Sequence, residues 1–79
     1  MSYIIYGTPN CKYCNMSKTL LEMKSLDYQY KEVGGDITKE QLEEMVGRSV
    51  RTVPQIFKMS GGFAEYIGGY EQLKEQVDG

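Results

Sequence analysis

Cys11 and Cys14 are the only thiols in the chain, and only Lys12 and Tyr13 stand between them. On a helix this spacing is just under one turn, which lets the two sulfurs open and close a disulfide. If Cys11 begins that helix, its sulfur lies over the unpaired N–H groups of the first turn. The positive end of the helix dipole then favours the thiolate. C-x-x-C thiols in such positions ionise well below the free value of about 8.5. Lys12 adds a positive charge beside the nucleophile. The chain has no histidine, so the surroundings of Cys11 must do what an imidazole base would do elsewhere. The expected chemistry is thiol–disulfide exchange, with attack by Cys11 and resolution by Cys14.

Two other uses of the pair stand beside this one. A cross-link closing a four-residue loop removes little unfolded-chain entropy, about 2 kcal/mol in the chain-entropy account. A structural metal site needs four protein ligands, whereas one chain offers two thiolates and no histidine, so no metal is expected. Composition narrows the field further. At 79 residues the chain is read as a single domain, residues 1–79. A net charge of −2 without a basic run argues against nucleic acid as partner. No apolar run approaches the roughly 18 residues of a membrane span, and the N-terminus reads as a strand rather than a signal sequence. The expected setting is the cytoplasm, where a C-x-x-C pair points to catalysis or metal before structural cross-linking.

The elements that must position the cysteines follow from the hydrophobic pattern. Ser2 to Tyr6 is β-branched and aromatic and reads as a buried strand broken by Gly7. Thr8-Pro9-Asn10 is a turn, with Asn10 as a helix cap. Tyr13, Met16, Leu20 and Met23 recur at helical spacing, the last three as core, and this helix should end near Leu26-Asp27. Tyr28 to Val33 alternates as a second strand. Thr38 and Gln41 form a capping box, with Ile37 and Leu42 as a hydrophobic staple. Leu42, Met45 and Val46 make a buried stripe, and Gly47 ends the helix. Gln55 to Lys58 and Phe63 to Tyr66 are strands joined through Gly61-Gly62. After Gly68-Gly69, a last helix carries Tyr70, Leu73 and Val77. The order β-α-β-α-β-β-α describes an α/β fold with a four-stranded mixed sheet and helices on both faces.

Three blocks together resemble the glutaredoxin family nearly end to end. They are Cys11-Lys12-Tyr13-Cys14, Thr52-Val53-Pro54-Gln55-Ile56-Phe57, and Gly68-Gly69-Tyr70-Glu71-Gln72-Leu73. The resemblance implies a thioredoxin-like fold and a glutathione-dependent disulfide oxidoreductase, with glutathione as reductant and co-substrate. It implies a cis bond before Pro54, and Val53 opposite Cys11 with its backbone free to pair with glutathione like an added strand. Thr52 and Pro54 belong to that same block. Gly68 and Gly69 would let the backbone approach the ligand closely, and Tyr70, Glu71 and Gln72 would receive the γ-glutamyl carboxylate at a helix N-terminus. Tyr13 would shield the disulfide, and Arg51 would take the glycyl carboxylate. Disulfide-containing proteins, ribonucleotide reductase among them, are the implied substrates of a monomer. The alternatives are a redoxin dedicated to ribonucleotide reductase and recharged by thioredoxin reductase, or a carrier whose iron–sulfur cluster is ligated across two chains with glutathione. The chain departs from the family at Lys12, where proline is usual, at Thr8, where a cation is usual, and at Gln72, where a second acid is usual.

Overall fold

The computed structural model describes residues 2–78. In chain order it contains β1 (Ser2–Gly7), α1 (Lys12–Met23), β2 (Asp27–Glu32), α2 (Lys39–Val46), β3 (Gln55–Ser60), β4 (Phe63–Gly68) and α3 (Tyr70–Asp78). The strands form one sheet in the order β2-β1-β3-β4. β1 pairs with β2 in parallel, from Ser2 opposite Asp27 to Gly7 opposite Glu32. It pairs with β3 antiparallel, Ile5 opposite Ile56, and β3 pairs with β4 antiparallel. The mixed sheet and the element order are those the pattern predicts.

Strand alternation sorts the core into two layers. Tyr3, Ile5 and Ile56 face α1 and α3, where they pack with Leu20, Leu21 and Leu73. Tyr6 and Phe57 face the other way, toward Leu42 of α2 and Val50. The Tyr6 and Phe57 rings meet edge to face with centroids 5.7 Å apart, a favoured aromatic geometry. β1 is therefore buried on both faces, which is why it reads as a near-continuous apolar run.

The α2 boundaries match the sequence signals. Thr38 Oγ1 accepts the Gln41 N–H at 3.0 Å, and Gln41 Oε1 accepts the Thr38 N–H at 2.9 Å. Gly47 closes the helix in the left-handed region at φ 88°. The α1 boundaries differ from expectation at both ends. Its N-cap is Cys11 and not Asn10, which is an exposed turn residue. Its last helical residue is Met23, short of Leu26-Asp27. The Leu26 N–H donates to the Leu21 carbonyl at 2.9 Å and the Ser25 N–H to the Glu22 carbonyl at 3.1 Å. This is a Schellman end with a serine in the left-handed position usually held by glycine.

Two methionines expected in the core lie outside it. Met23 is 76% exposed and Met45 is 46% exposed. Leu20 and Leu21 of α1 and Leu42 of α2 are buried instead, so each helix buries a narrower stripe than its apolar content suggests.

Ser25 has φ 57°, a conformation that costs an L-residue about 1–2 kcal/mol. Ser25→Gly relieves that cost and loses about 0.5–1 kcal/mol through greater unfolded-chain freedom. A net gain of roughly 0.5 kcal/mol is expected, read as a higher urea midpoint at unchanged slope.

Candidate active site

Cys11 and Cys14 are joined by a disulfide, with Cα atoms 5.2 Å apart. Cys11 has extended backbone, φ −98° and ψ 114°, and its sulfur occupies the place of an N-cap acceptor. The Cys14 N–H donates to Cys11 Sγ at 3.0 Å. One of the orphan donors of the first turn is thereby aimed at the sulfur, as the reading of the motif requires. No acidic residue stands in that first turn to oppose a thiolate. Cys14 is fully buried while Cys11 is partly exposed, so an incoming group meets Cys11 Sγ first.

The buried member of the pair is held from below. A Cβ placed on Gly7 would lie 2.5 Å from Cys14 Sγ and 2.5 Å from the Tyr30 hydroxyl. Only glycine permits β1 to pass so close under the disulfide. The Tyr30 hydroxyl donates to the Thr8 carbonyl at 2.8 Å and ties the loop before Cys11 to β2. Burial, and then the nearby Glu32 charge, raise the Tyr30 pKa, so the phenol remains a donor. On the helix side, the buried Ser17 hydroxyl donates to the Tyr13 carbonyl at 2.8 Å.

The loop between α2 and β3 brings the second block to the disulfide. Val53–Pro54 is a cis peptide bond, and the Val53 carbonyl oxygen lies 3.6 Å from Cys11 Sγ. Two side chains hold this loop in place. Glu43 Oε2 accepts the Val50 N–H at 2.9 Å, fastening the segment to α2. Gln55, itself buried, donates through Nε2 to the Thr52 carbonyl at 2.8 Å and accepts from the Tyr66 hydroxyl through Oε1. Gln55, Tyr30 and Glu43 are not among the site residues expected from the sequence. Tyr30 reaches Thr8 from 22 residues away, and Gln55 and Glu43 act on loop backbone, which no residue-type pattern marks.

Eight of the sequence-predicted residues line one cleft of about 200 Å³ beside the disulfide. Thr52, Val53 and Pro54 form one wall, and Gly69, Tyr70, Glu71 and Gln72 form the other. Tyr13 closes the end, its ring 5.8 Å from that of Tyr70. Gly68, at φ 125°, turns the chain from β4 into α3. Gly69 then stands at the head of α3, where the Leu73 N–H donates to its carbonyl at 3.1 Å. A glycine there has no side chain to cap the helix, which leaves the N–H groups of Glu71 and Gln72 for a ligand. Gln72 Oε1 instead accepts the Gly69 N–H at 2.9 Å. The residue that departs from the family pattern thus braces its own helix start.

Arg51 does not line this cleft. It is exposed and lines a neighbouring depression of about 250 Å³ with Lys39, and the two depressions share Thr52 and Val53. Of the cations near the first block, Lys12 Nζ lies 5.9 Å from the Tyr13 ring centroid, and Lys18 Nζ sits 4.6 Å over the Tyr30 ring. Among the described residues no group of three or more histidine, cysteine, aspartate or glutamate side chains is arranged to hold a metal ion. No helix among them is long and apolar enough to cross a membrane.

Comparison with known proteins gives a consistent result. The family model described as glutaredoxin matches residues 3–61. The chain is 38% identical to glutaredoxin 1 of Escherichia coli strain K12 over 88 aligned positions, covering 99% of each chain. It is 40% identical to a Haemophilus influenzae glutaredoxin over 75 positions, covering 84% of this chain and 86% of that one. The structure of reduced Escherichia coli glutaredoxin superposes with a TM-score of 0.82 at 37% identity, covering 99% of this chain and 94% of that one. A buckwheat glutaredoxin–glutathione complex matches with a TM-score of 0.72 at 27% identity, covering 94% of this chain and 66% of that one.

The contact under Cys14 yields a direct test. Gly7→Ala must push Cys14 and Tyr30 aside, at a cost of roughly 1–3 kcal/mol. We expect a lowered urea midpoint in both redox states, together with slower closure of the Cys11–Cys14 bond in the reduced protein.

Proposed function

This chain belongs to the glutaredoxin family, and on that premise we propose that it reduces protein disulfides and glutathione mixed disulfides with glutathione as reductant and co-substrate. That it is a thiol–disulfide oxidoreductase follows from the family. The finer assignments rest on the site. The observation that carries them is the contrast within the pair, a partly exposed Cys11 at a helix cap and a buried Cys14 one turn inside.

Cys11 is the nucleophile and Cys14 the resolving thiol. The Cys11 thiolate attacks a substrate disulfide, forms a mixed disulfide and expels the second substrate sulfur as a thiolate that takes a proton from solvent. Either Cys14 then attacks Cys11 and releases the reduced substrate, or glutathione does so. Return to the dithiol takes two glutathione molecules. The first attacks Cys11 Sγ and expels the Cys14 thiolate; the second attacks the glutathione sulfur and frees Cys11, leaving glutathione disulfide. Family potentials of about −200 to −230 mV lie near the cytosolic glutathione poise, so either direction is accessible.

Glutathione is a tripeptide of roughly 10 Å when extended, too long for the smaller cleft alone. We place its γ-glutamyl carboxylate on the free N–H groups of α3 and its cysteinyl backbone along Val53. Its glycyl carboxylate then runs past Thr52 toward Arg51 and Lys39 in the adjoining depression. Tyr13 shields the disulfide, and Tyr70 packs beside it at the end of the cleft. The same reading makes the protein a cytoplasmic monomer of one domain, residues 1–79, acting on disulfide-containing proteins such as ribonucleotide reductase. Neither the dedicated redoxin recharged by thioredoxin reductase nor the iron–sulfur carrier is favoured by the comparisons.

The deciding experiment is a steady-state assay of one disulfide substrate with glutathione or thioredoxin reductase as electron source. Turnover with glutathione is expected, and turnover with the flavoprotein alone would overturn the reading. Cys11→Ser should abolish reduction of a glutathione mixed disulfide, and Cys14→Ser should retain much of it. Equal activity in the two variants would reverse or void the assigned roles. Arg51→Glu should raise the KM for glutathione about three- to tenfold with little change in kcat, as expected when uniform binding is lost at a partly solvated charge.

A further inference from the structure

A second depression lies on the other side of Tyr70, along the exposed side of α1. It measures about 490 Å³, more than twice the volume of the cleft given to glutathione. Met16, Leu20 and Met23 supply its apolar lining, Thr19 lies among them, and Tyr70 separates it from the cleft. Lys12, next to Cys11 in the chain, is its one charged lining residue among those described. Met23 is 76% exposed although it stands on a helix whose neighbouring leucines are buried.

A mixed disulfide has two halves, and both must be accommodated around Cys11 Sγ at once. The cleft between Thr52–Pro54 and α3, with the depression by Arg51 and Lys39, is taken up by the glutathione half. The polypeptide half needs another surface within reach of the same sulfur, and the α1 groove is continuous with the site through Tyr70 and Lys12. Its chemistry is that of a peptide seat. Methionine is flexible and polarisable and fits side chains of varied shape, which suits an enzyme with many disulfide substrates. A lone cation at the rim of an otherwise uncharged groove favours an acidic side chain there.

We infer that this groove binds the extended, cysteine-bearing segment of a protein substrate, taking an aliphatic side chain about four residues from the cysteine between Met16 and Met23 and an acidic one beside the cysteine against Lys12. The inference rests on the placement of glutathione given above. During exchange the Cys11 thiolate bonds to the glutathione sulfur and the sulfur–sulfur bond to the peptide breaks. The peptide thiolate leaves along the groove and takes a proton from solvent.

The test uses three glutathione mixed disulfides: of free cysteine, of a decapeptide with glutamate next to its cysteine and leucine about four residues away on either side, and of the same decapeptide with glutamine and serine in their places. The wild-type protein is expected to show about tenfold higher kcat/KM for the leucine–glutamate peptide, the size that partial burial of one aliphatic side chain provides. Met23→Glu should erase that preference and leave the free-cysteine substrate unchanged; Met23→Leu should keep it. Equal kcat/KM for the two peptides in the wild type overturns the inference. So does an equal loss in Met23→Glu for all three substrates, or sedimentation showing that Met23 is covered by a second copy of the chain. Failure of the glutathione reading itself would appear separately, as no glutathione-supported turnover of the free-cysteine substrate.

Discussion

The fold turns on one unusual cap. The first helix begins with a cysteine where a serine, threonine, aspartate or asparagine oxygen would ordinarily accept a backbone N–H. The Cys14 N–H points at Cys11 Sγ at 3.0 Å, so the bond that starts the helix also favours negative charge on the reactive sulfur. Helix start and proposed nucleophile are one atom. Anything that moves the first turn of α1 also changes the sulfur chemistry. For that reason the surroundings of this turn are tied down on three sides: Gly7 beneath it, Tyr30 on the preceding loop, and Val53 opposite.

The sheet explains how such distant segments reach one place. β1 and β3 are its central strands, buried between α1 and α3 on one face and α2 on the other. β1 ends at Gly7 just before the cysteine loop, and β3 starts at Gln55 just after the Val53–Pro54 bond. Because these two strands are antiparallel neighbours, the end of one lies beside the beginning of the other. The third wall arrives because β4 pairs with β3 and delivers Gly68-Gly69-Tyr70 to the same edge. The catalytic edge is thus a consequence of strand order.

Much of this was legible from local chemistry. The capping box at Thr38 and Gln41, the Gly47 stop and the hairpin through Gly61-Gly62 are short-range signals, and each stands where it was expected. Eight of the nine groove residues beyond the cysteines meet in one cleft because they fall in three contiguous blocks. The misses are long-range or lack a residue-type signal. Ser25 ends α1 in a conformation that serine seldom adopts, so nothing in its type marks the boundary. Met23 and Met45 fit the helical period, but period cannot tell the edge of an apolar stripe from its centre. Arg51 precedes Thr52 directly, yet its side chain lies in the adjoining depression, a direction that chain adjacency does not set. Gln55 was visible only as part of a block, and its clamp from the Thr52 carbonyl to Tyr66 required β4 to be in place.

The unequal depth of the two sulfurs also governs how the protein ages under peroxide. An oxidant meets the partly exposed sulfur first and converts it to a sulfenic acid, the first rung of a ladder whose upper rungs are irreversible. The thiol buried behind it is sheltered from the same attack and stands one turn away. Its condensation with the sulfenic acid expels water and restores the Cys11–Cys14 bond, short of the irreversible rungs. Damage is thereby returned to the working cycle before it becomes permanent.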